Sequence, residues 1–311
     1  MILTVNLNST TDIVIPISDL KLSSVSRTPW IAAYPGGKAT NVARALASLG
    51  ADVTTTGFCG VNDFESMKKF LNSCNVHSDF VKVKGANRPC IIITETMAKR
   101  ETIINSESSF KINNSALFTF LKKLKNLSSK SKITIFSGSL PLSLPFNFYY
   151  RAINICNKNS LTILDTSAKY LKHSIKAGPS IIKQNLDEIE SGFNIKLNTK
   201  SAIKKFSFNL LKKHNLKAVI ITLHEKGAIL FENDTSFYFP ALKMENAISP
   251  VGCGDAFTAG LAFGIESWKN IKEAVKFGIA CATANLQHFG SCFFTAAEAR
   301  SYIKKIKILN Y

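Results

Sequence analysis

Late in the chain, Pro250-Val251-Gly252-Cys253-Gly254-Asp255 sets two glycines ahead of a helical run. With no Cβ in the way, consecutive backbone N–H groups can converge there, and the positive end of the helix adds to their field. Such a nest binds anions. It could hold the terminus of a triphosphate and the charge that develops on a phosphoryl group in transfer. Asp255 is then the carboxylate available for chemistry. A carboxylate in a first helical turn is also an ordinary dipole stabiliser, so the turn alone leaves both readings open. An early stretch, Tyr34-Pro35-Gly36-Gly37-Lys38-Ala39-Thr40-Asn41, is a second glycine turn that runs into an amphipathic helix. Lys38 and Asn41 are three apart and share a helix face, so with the amides of Gly36 and Gly37 they make a polar concavity suited to sugar hydroxyls. A plain turn and helix start is the alternative. No GxxxxGK[ST] phosphate loop is present.

Something must bring these two turns together. Short β-branched runs at Leu3 to Leu7, Val53 to Phe58, Ile133 to Phe136, Leu161 to Leu164, Ile181 to Ile182 and Ala218 to Leu223 alternate with helix-length segments. That rhythm predicts an α/β fold around a parallel sheet. Two inserts break it, residues 13–33 and 80–104. Their strand-like runs lack intervening helices and predict a small separate sheet folded as a flap over the carboxyl ends of the parallel strands, where open α/β sheets bind ligands. Three helices close the chain: Gly254 to Ile265, Ile271 to Asn285 and Ala296 to Ile308.

Composition limits the rest. The 311 residues are 46% hydrophobic and 19% charged, which excludes collagen-like, coiled-coil and disordered classes. Net charge is +18, which raises nucleic acid, a membrane surface or a phosphorylated metabolite as partner. The basic clusters at 122–132 and 304–307 fall at helical spacing and read as solvated helix faces, and no Arg-rich arm accompanies them, so nucleic acid is not expected. Seven cysteines without a CxxC pair read as reduced core residues of a cytoplasmic protein. The first twelve residues lack the basic region of a signal peptide. The longest apolar stretch, 247–265, is crossed by Pro250, four glycines and Asp255, and is not a membrane span. The histidines lack metal-ligand spacing.

The early Gly-Gly-Lys-x-x-Asn and the late Gly-x-Gly-Asp together resemble the two signatures of the ribokinase-like (PfkB) carbohydrate kinases, and the resemblance runs over essentially the whole chain. It is nearest the branch of tagatose-6-phosphate kinase and 1-phosphofructokinase, through Leu3 to Asn8 with Asp12, Val25-Ser26-Arg27, Ser137-Gly138-Ser139-Leu140-Pro141 and Leu164-Asp165-Thr166-Ser167. The resemblance implies a single ribokinase-like α/β domain over 1–311 with an inserted lid. It implies an ATP- and Mg²⁺-dependent enzyme that phosphorylates a hexose monophosphate, with Asp255 as base and the amides of Gly252, Cys253 and Gly254 as anion hole. Asp12, Gly37, Lys38 and Asn41 would meet the sugar, and Arg27, Arg88 and Ser139 its phosphate. Lys183, Asn185, Thr222, Gly227 and Asn285 would meet the nucleotide, and Glu188 would help hold Mg²⁺. The partners expected are these small molecules, with a homodimer through the lid. A kinase of an unphosphorylated sugar or nucleoside, and a catalytically weak sugar-phosphate-binding relative, are the alternatives. His224 departs from the pattern, standing where relatives carry Gly, at a position that could demand a backbone an imidazole residue adopts poorly.

Overall fold

The computed structural model describes all 311 residues. Fourteen strands form two sheets. The first to be made, β1 (Ile2–Asn6), is central to the larger one, with β4 (Val53–Gly60) and β5 (His77–Val83) on one side. On the other lie β8 (Ile133–Gly138), β9 (Leu161–Thr166), β10 (Ile181–Asn185), β11 (Ala218–Thr222), β12 (Ala228–Glu232), β13 (Thr235–Phe239) and β14 (Leu309–Asn310). From β5 across to β11 all pairings are parallel, and the last three strands add antiparallel.

Apart from the edge strand β5, the parallel strands are buried on both faces. Alternation then divides them: Ile2, Ile133, Ile163, Ile181 and Ile220 join one core, Leu3, Val5, Phe136, Leu164, Ile182 and Val219 the other. The first core is covered by α1 (Lys38–Ser48), α2 (Phe64–Ser73), α8 (Cys253–Trp268), α9 (Ile271–Asn285) and α10 (Ala296–Ile303). The second lies under α3 (Asn114–Ser129), α4 (Phe148–Cys156), α5 (Ala168–Ser174), α6 (Leu186–Phe193) and α7 (Lys200–His214). Small residues Ala256, Ala259, Gly260 and Ala262 let α8 lie close against α9.

The small sheet has the order β3 (Ala32–Gly36), β2 (Thr10–Ile17), β6 (Arg88–Glu95), β7 (Arg100–Asn105). The first insert therefore extends beyond 13–33 at both ends. The second begins at Arg88 and not at 80, because His77–Val83 pairs in parallel with β4 and buries Phe80 and Val81 in the main sheet. Ala296–Ile303 is shorter than the helix expected to reach Ile308, since the chain leaves it in a turn at Lys304 and pairs Leu309 with Tyr238. All seven cysteines are unpaired. No helix is long and apolar enough to cross a membrane.

Candidate active site

β1 and β8 to β10 end beside one another at Asn6, Gly138, Thr166 and Asn185, with Asp165 one residue before the end of β9. The α1 and α8 N-termini arrive at the same edge, so two turns distant in sequence become neighbours. Asn41 Nδ2 donates to Asp255 Oδ2 at 3.0 Å, across 214 residues. Burial pushes the Asp255 carboxyl up to about 6, with Asp165 adding to the rise and Lys38, Asn41 and Lys183 opposing it.

The turn before α8 is set by Gly252. Its φ is +81°, and a Cβ there would come within 2.6 Å of the Ser291 backbone, so any side chain must displace the 290–292 loop. The N–H groups of Gly252, Gly254 and Asp255 make no hydrogen bond within the protein, as the first turn of a helix leaves them. Cys253 differs from expectation: its N–H closes the turn onto the Pro250 carbonyl at 3.2 Å, and its thiol lies against Ala282 and Asn285. The amides left free to meet an anion are thus those of residues 252, 254 and 255.

Under this turn lies a buried charge cluster. Lys183 Nζ donates to Asp165 Oδ2 at 3.1 Å and to the Gly254 carbonyl at 3.3 Å, and Thr258 Oγ1 donates to Asp165 Oδ2 at 3.0 Å. Burial alone would raise the Asp165 carboxyl, but Lys183 and Lys38 outweigh it and hold it below the ordinary carboxylate range. Lys38 Nζ stands 3.9 Å from Asp165 Oδ1 and 3.7 Å from Glu188 Oε1, and chiefly through Asp165 its ammonium is held above the ordinary range. Glu188 and Asn185 form a reciprocal cap on α6 (3.0 and 2.7 Å). That leaves Glu188 Oε1 facing Lys38, and Asp165 Oδ1 is buried with no hydrogen-bond partner. Both oxygens are turned towards the Lys38 ammonium, and no group of three or more metal-ligating side chains exists. A Mg²⁺ ion at this edge would take few carboxylates, Glu188 and Asp165 being those at hand, and the rest of its shell from phosphates and water.

Asp12 is buried on β2, accepting from Thr10 Oγ1 at 2.5 Å, and burial raises its carboxyl. A Cβ on Gly36 would sit 2.2 Å from Asp12 Oδ2, so the first glycine of the early turn is there to make room for that carboxylate. Asn6 fixes the same turn, donating to the Gly36 carbonyl at 3.1 Å and to Thr40 Oγ1 at 2.6 Å. Arg88, Ser139, Asn8, Asn105, Ser106, Ser108 and the acidic Glu107 line a cavity of about 290 Å³. Arg88 Nη1 donates to Asn105 Oδ1 at 2.7 Å, and Ser139 Oγ accepts from Asn8 Nδ2 at 3.0 Å. Arg27 is not brought to this cavity: it is exposed in the connection between β2 and β3 and makes no ion pair or hydrogen bond.

On the nucleotide side, Thr222 ends β11 with its hydroxyl donating to the Gln184 carbonyl at 3.4 Å, and Gly227 closes the following turn onto His224. His224 does adopt a left-handed backbone, φ 50°, the conformation a glycine would take freely. Its ring turns outward and pairs with Asp187 at 2.8 Å. Asn285 is not available to a nucleotide. It is fully buried, donates to the Val251 carbonyl at 2.8 Å and accepts the Cys292 N–H at 2.7 Å, bracing the turn from beneath.

Sequence reading passed over Asp165 and Arg44 as site residues. A carboxylate ending an apolar strand run was the available signal for Asp165. Arg44 lies inside the early motif, buried between the rings of Phe293, Tyr34 and Phe70 at 4.0 to 5.5 Å, where it donates to the Ser291 carbonyl. From there it links α1 to the loop that packs on Gly252.

Residues 6–298 match the pfkB family carbohydrate kinases, and the chain belongs to that family. Over 295 residues, 94% of each chain, it is 30% identical to the 1-phosphofructokinase of Borreliella burgdorferi. Over 323 aligned positions, 99% of each chain, it is 28% identical to the tagatose-6-phosphate kinase of Staphylococcus epidermidis. The crystal structure of Escherichia coli phosphofructokinase-2 with substrates and products superposes with a TM-score of 0.90 at 20% identity, covering 98% of each chain.

Proposed function

We propose that this chain transfers the γ-phosphoryl group of Mg-ATP to a hydroxyl of a hexose monophosphate of the tagatose 6-phosphate or fructose 1-phosphate type, giving a hexose bisphosphate. The observation that carries the reading is the buried Asp255 carboxylate, hydrogen-bonded to Asn41, at the head of a helix whose 252, 254 and 255 amides are unengaged. The names of the curated relatives support the substrate class. Asp255 takes the proton of the attacking hydroxyl. The free amides and Lys183 face the charge that develops on the phosphoryl group, and positioning and electrostatics account for most of the catalysis in such transfers. Asp12, Lys38 and Asn41 hold the sugar with the Gly37 turn, while Arg88 and Ser139 take its phosphate in the 290 Å³ cavity. Thr222 and Gly227 border the nucleotide. Mg²⁺ held near Glu188 and Asp165 would neutralise the phosphates.

Coupled ADP release against tagatose 6-phosphate, fructose 1-phosphate, fructose 6-phosphate, fructose and ribose tests this reading. Turnover is expected on one phosphorylated hexose and absent in Asp255→Asn; turnover on the unphosphorylated sugars alone would replace it. Arg88 separates the two readings further. Because it would make charged hydrogen bonds to the substrate phosphate, Arg88→Ala should raise KM for the sugar phosphate by about 10- to 100-fold. An unchanged KM would place the phosphate elsewhere.

The small sheet serves as the lid and as a dimer contact. Its outward face presents Ile13, Ile15, Ile91, Ile93 and Ile104, in register across β2, β6 and β7, an apolar sheet face with no element of this chain over it. Sedimentation should give twice the mass of one chain, and Ile15→Glu should return it to a monomer. A wild-type monomer at micromolar concentration would refute the contact.

A further inference from the structure

Glu101 lies on β7, paired with Thr94 of β6, and its side chain reaches out of the small sheet. Oε1 accepts from Thr94 Oγ1 at 3.2 Å and from the hydroxyl of Ser249, a residue 148 positions away. Ser249 is buried, and its oxygen accepts the Val251 N–H at 3.2 Å. Val251 immediately precedes Gly252. A relay of hydrogen bonds thus runs from the backbone of the anion-binding turn, through one hydroxyl, to a carboxylate on the small sheet. A serine hydroxyl has a single proton. With that proton committed to Glu101, the Ser249 oxygen presents its lone pairs to Val251, so the acceptor on β7 sets the direction of the whole relay.

The placement is costly. Burial raises the Glu101 carboxyl, with Ser249, Thr94 and the Val251 N–H only opposing that rise, and an acid beside a site for phosphate adds repulsion. Nothing in the reaction described above uses it as acid, base or ligand.

We propose that Glu101 is a positioning residue: it ties the turn that presents the 252, 254 and 255 amides to the sheet that carries Asp12 and Arg88, so that the anion hole is registered against the seated sugar phosphate. The inference rests on the reading of that turn given under Proposed function. Asp12, Arg88 and Glu101 occupy adjacent strands β2, β6 and β7, and a displacement of that sheet is transmitted to residue 251 through the side chains of Glu101 and Ser249. Misplacing positioned groups by about 1 Å costs on the order of 10²-fold in rate.

The test is calorimetric binding of ADP with tetrafluoroaluminate, a mimic of the phosphoryl group in transfer, against ADP alone, in buffer containing Mg²⁺. Glu101→Ala and Ser249→Ala should each weaken the tetrafluoroaluminate complex by about 10-fold or more and leave ADP within about twofold. Glu101→Gln keeps an acceptor oxygen and should hold the wild-type affinity. The double variant should be no weaker than either single one, because both break one relay. Equal losses for ADP and for its tetrafluoroaluminate complex, no loss in either alanine variant, a Glu101→Gln as weak as Glu101→Ala, or additive losses would each overturn the proposal. Absence of tetrafluoroaluminate binding in the wild-type chain overturns it together with the reading of the turn. The stated pattern in a protein that phosphorylates no sugar phosphate would retain the relay and overturn only the substrate reading.

Discussion

Asp255→Asn is expected to lower kcat by about 10² to 10⁴, the usual contribution of a positioned base, with KM for both substrates little changed. The carboxyl sits at about 6 because it is buried, and a base must be ionised to act. Activity of the wild-type protein should therefore fall as pH drops through about 6 and be flat above it. The same burial predicts an opposite effect on stability. Above pH 6 the folded protein holds an ionised carboxylate that its unfolded chain would ionise near 3.8, a difference of about two units, or roughly 3 kcal/mol. Asparagine removes that cost. The variant should melt higher than wild type at pH 8, and the gap should close as pH falls from about 6 to below 3.8, where the carboxyl is protonated in the folded and the unfolded chain alike. Calorimetric melts at several pH values, alongside single-turnover kinetics, check both halves. A variant that retains activity, or that melts lower at pH 8, would remove Asp255 from the role of base under strain.

Lys183→Met should have the largest effect on stability. Lys183 and Asp165 are almost fully buried, 5% and 1% exposed in their side chains, and removing Lys183 leaves the buried Asp165 with only the longer Lys38 contact, at 3.9 Å, to balance its charge. The expected loss is about 3 to 5 kcal/mol, seen as a fall in Tm of roughly 5 to 8 °C for a chain of this size. The sign of the pH dependence differs from that of Asp255. Asp165 is held below its ordinary value of 3.8 by the two lysines, so its contribution is present above that value and is lost as pH falls through the lower folded value. Removing Lys183 should bring acid unfolding to higher pH. Adding Asp165→Asn to Lys183→Met should restore part of the lost stability, because the uncompensated charge goes; strictly additive losses would show that the two groups do not act as a pair.

Much of this was legible in the sequence, for a physical reason. Parallel strands buried inside a sheet are written as short runs of apolar and β-branched residues, so β1, β4 and β8 to β11 declared themselves, and the glycine turns before α1 and α8 did so through residues whose lack of a side chain frees the backbone. The antiparallel hairpin of β12 and β13 followed a strand already assigned and carried no distinct period. Arg27 and Asn285 were placed at ligands by likeness to a family, and only the fold shows that one points into solvent while the other is spent inside the protein. Asp165, Arg44 and Glu101 act through residues remote in sequence. Arg44 in particular spends its charge on three aromatic rings and one carbonyl from separate segments, and no local pattern encodes that.

The pairing of Asn41 with Asp255 has a consequence for how the protein matures. The two side chains that meet at 3.0 Å belong to opposite ends of the chain, 214 residues apart. Contacts of such separation form late, since the loop between them must be ordered before they are rewarded. An intermediate could thus hold the second core, most of its helices and strands, and no paired Asp255, because the first core needs α1 and α8 together. In refolding, recovery of catalysis should trail recovery of helical signal, and the activity of a preparation becomes a measure of the fraction of chains that have completed the last and longest closure.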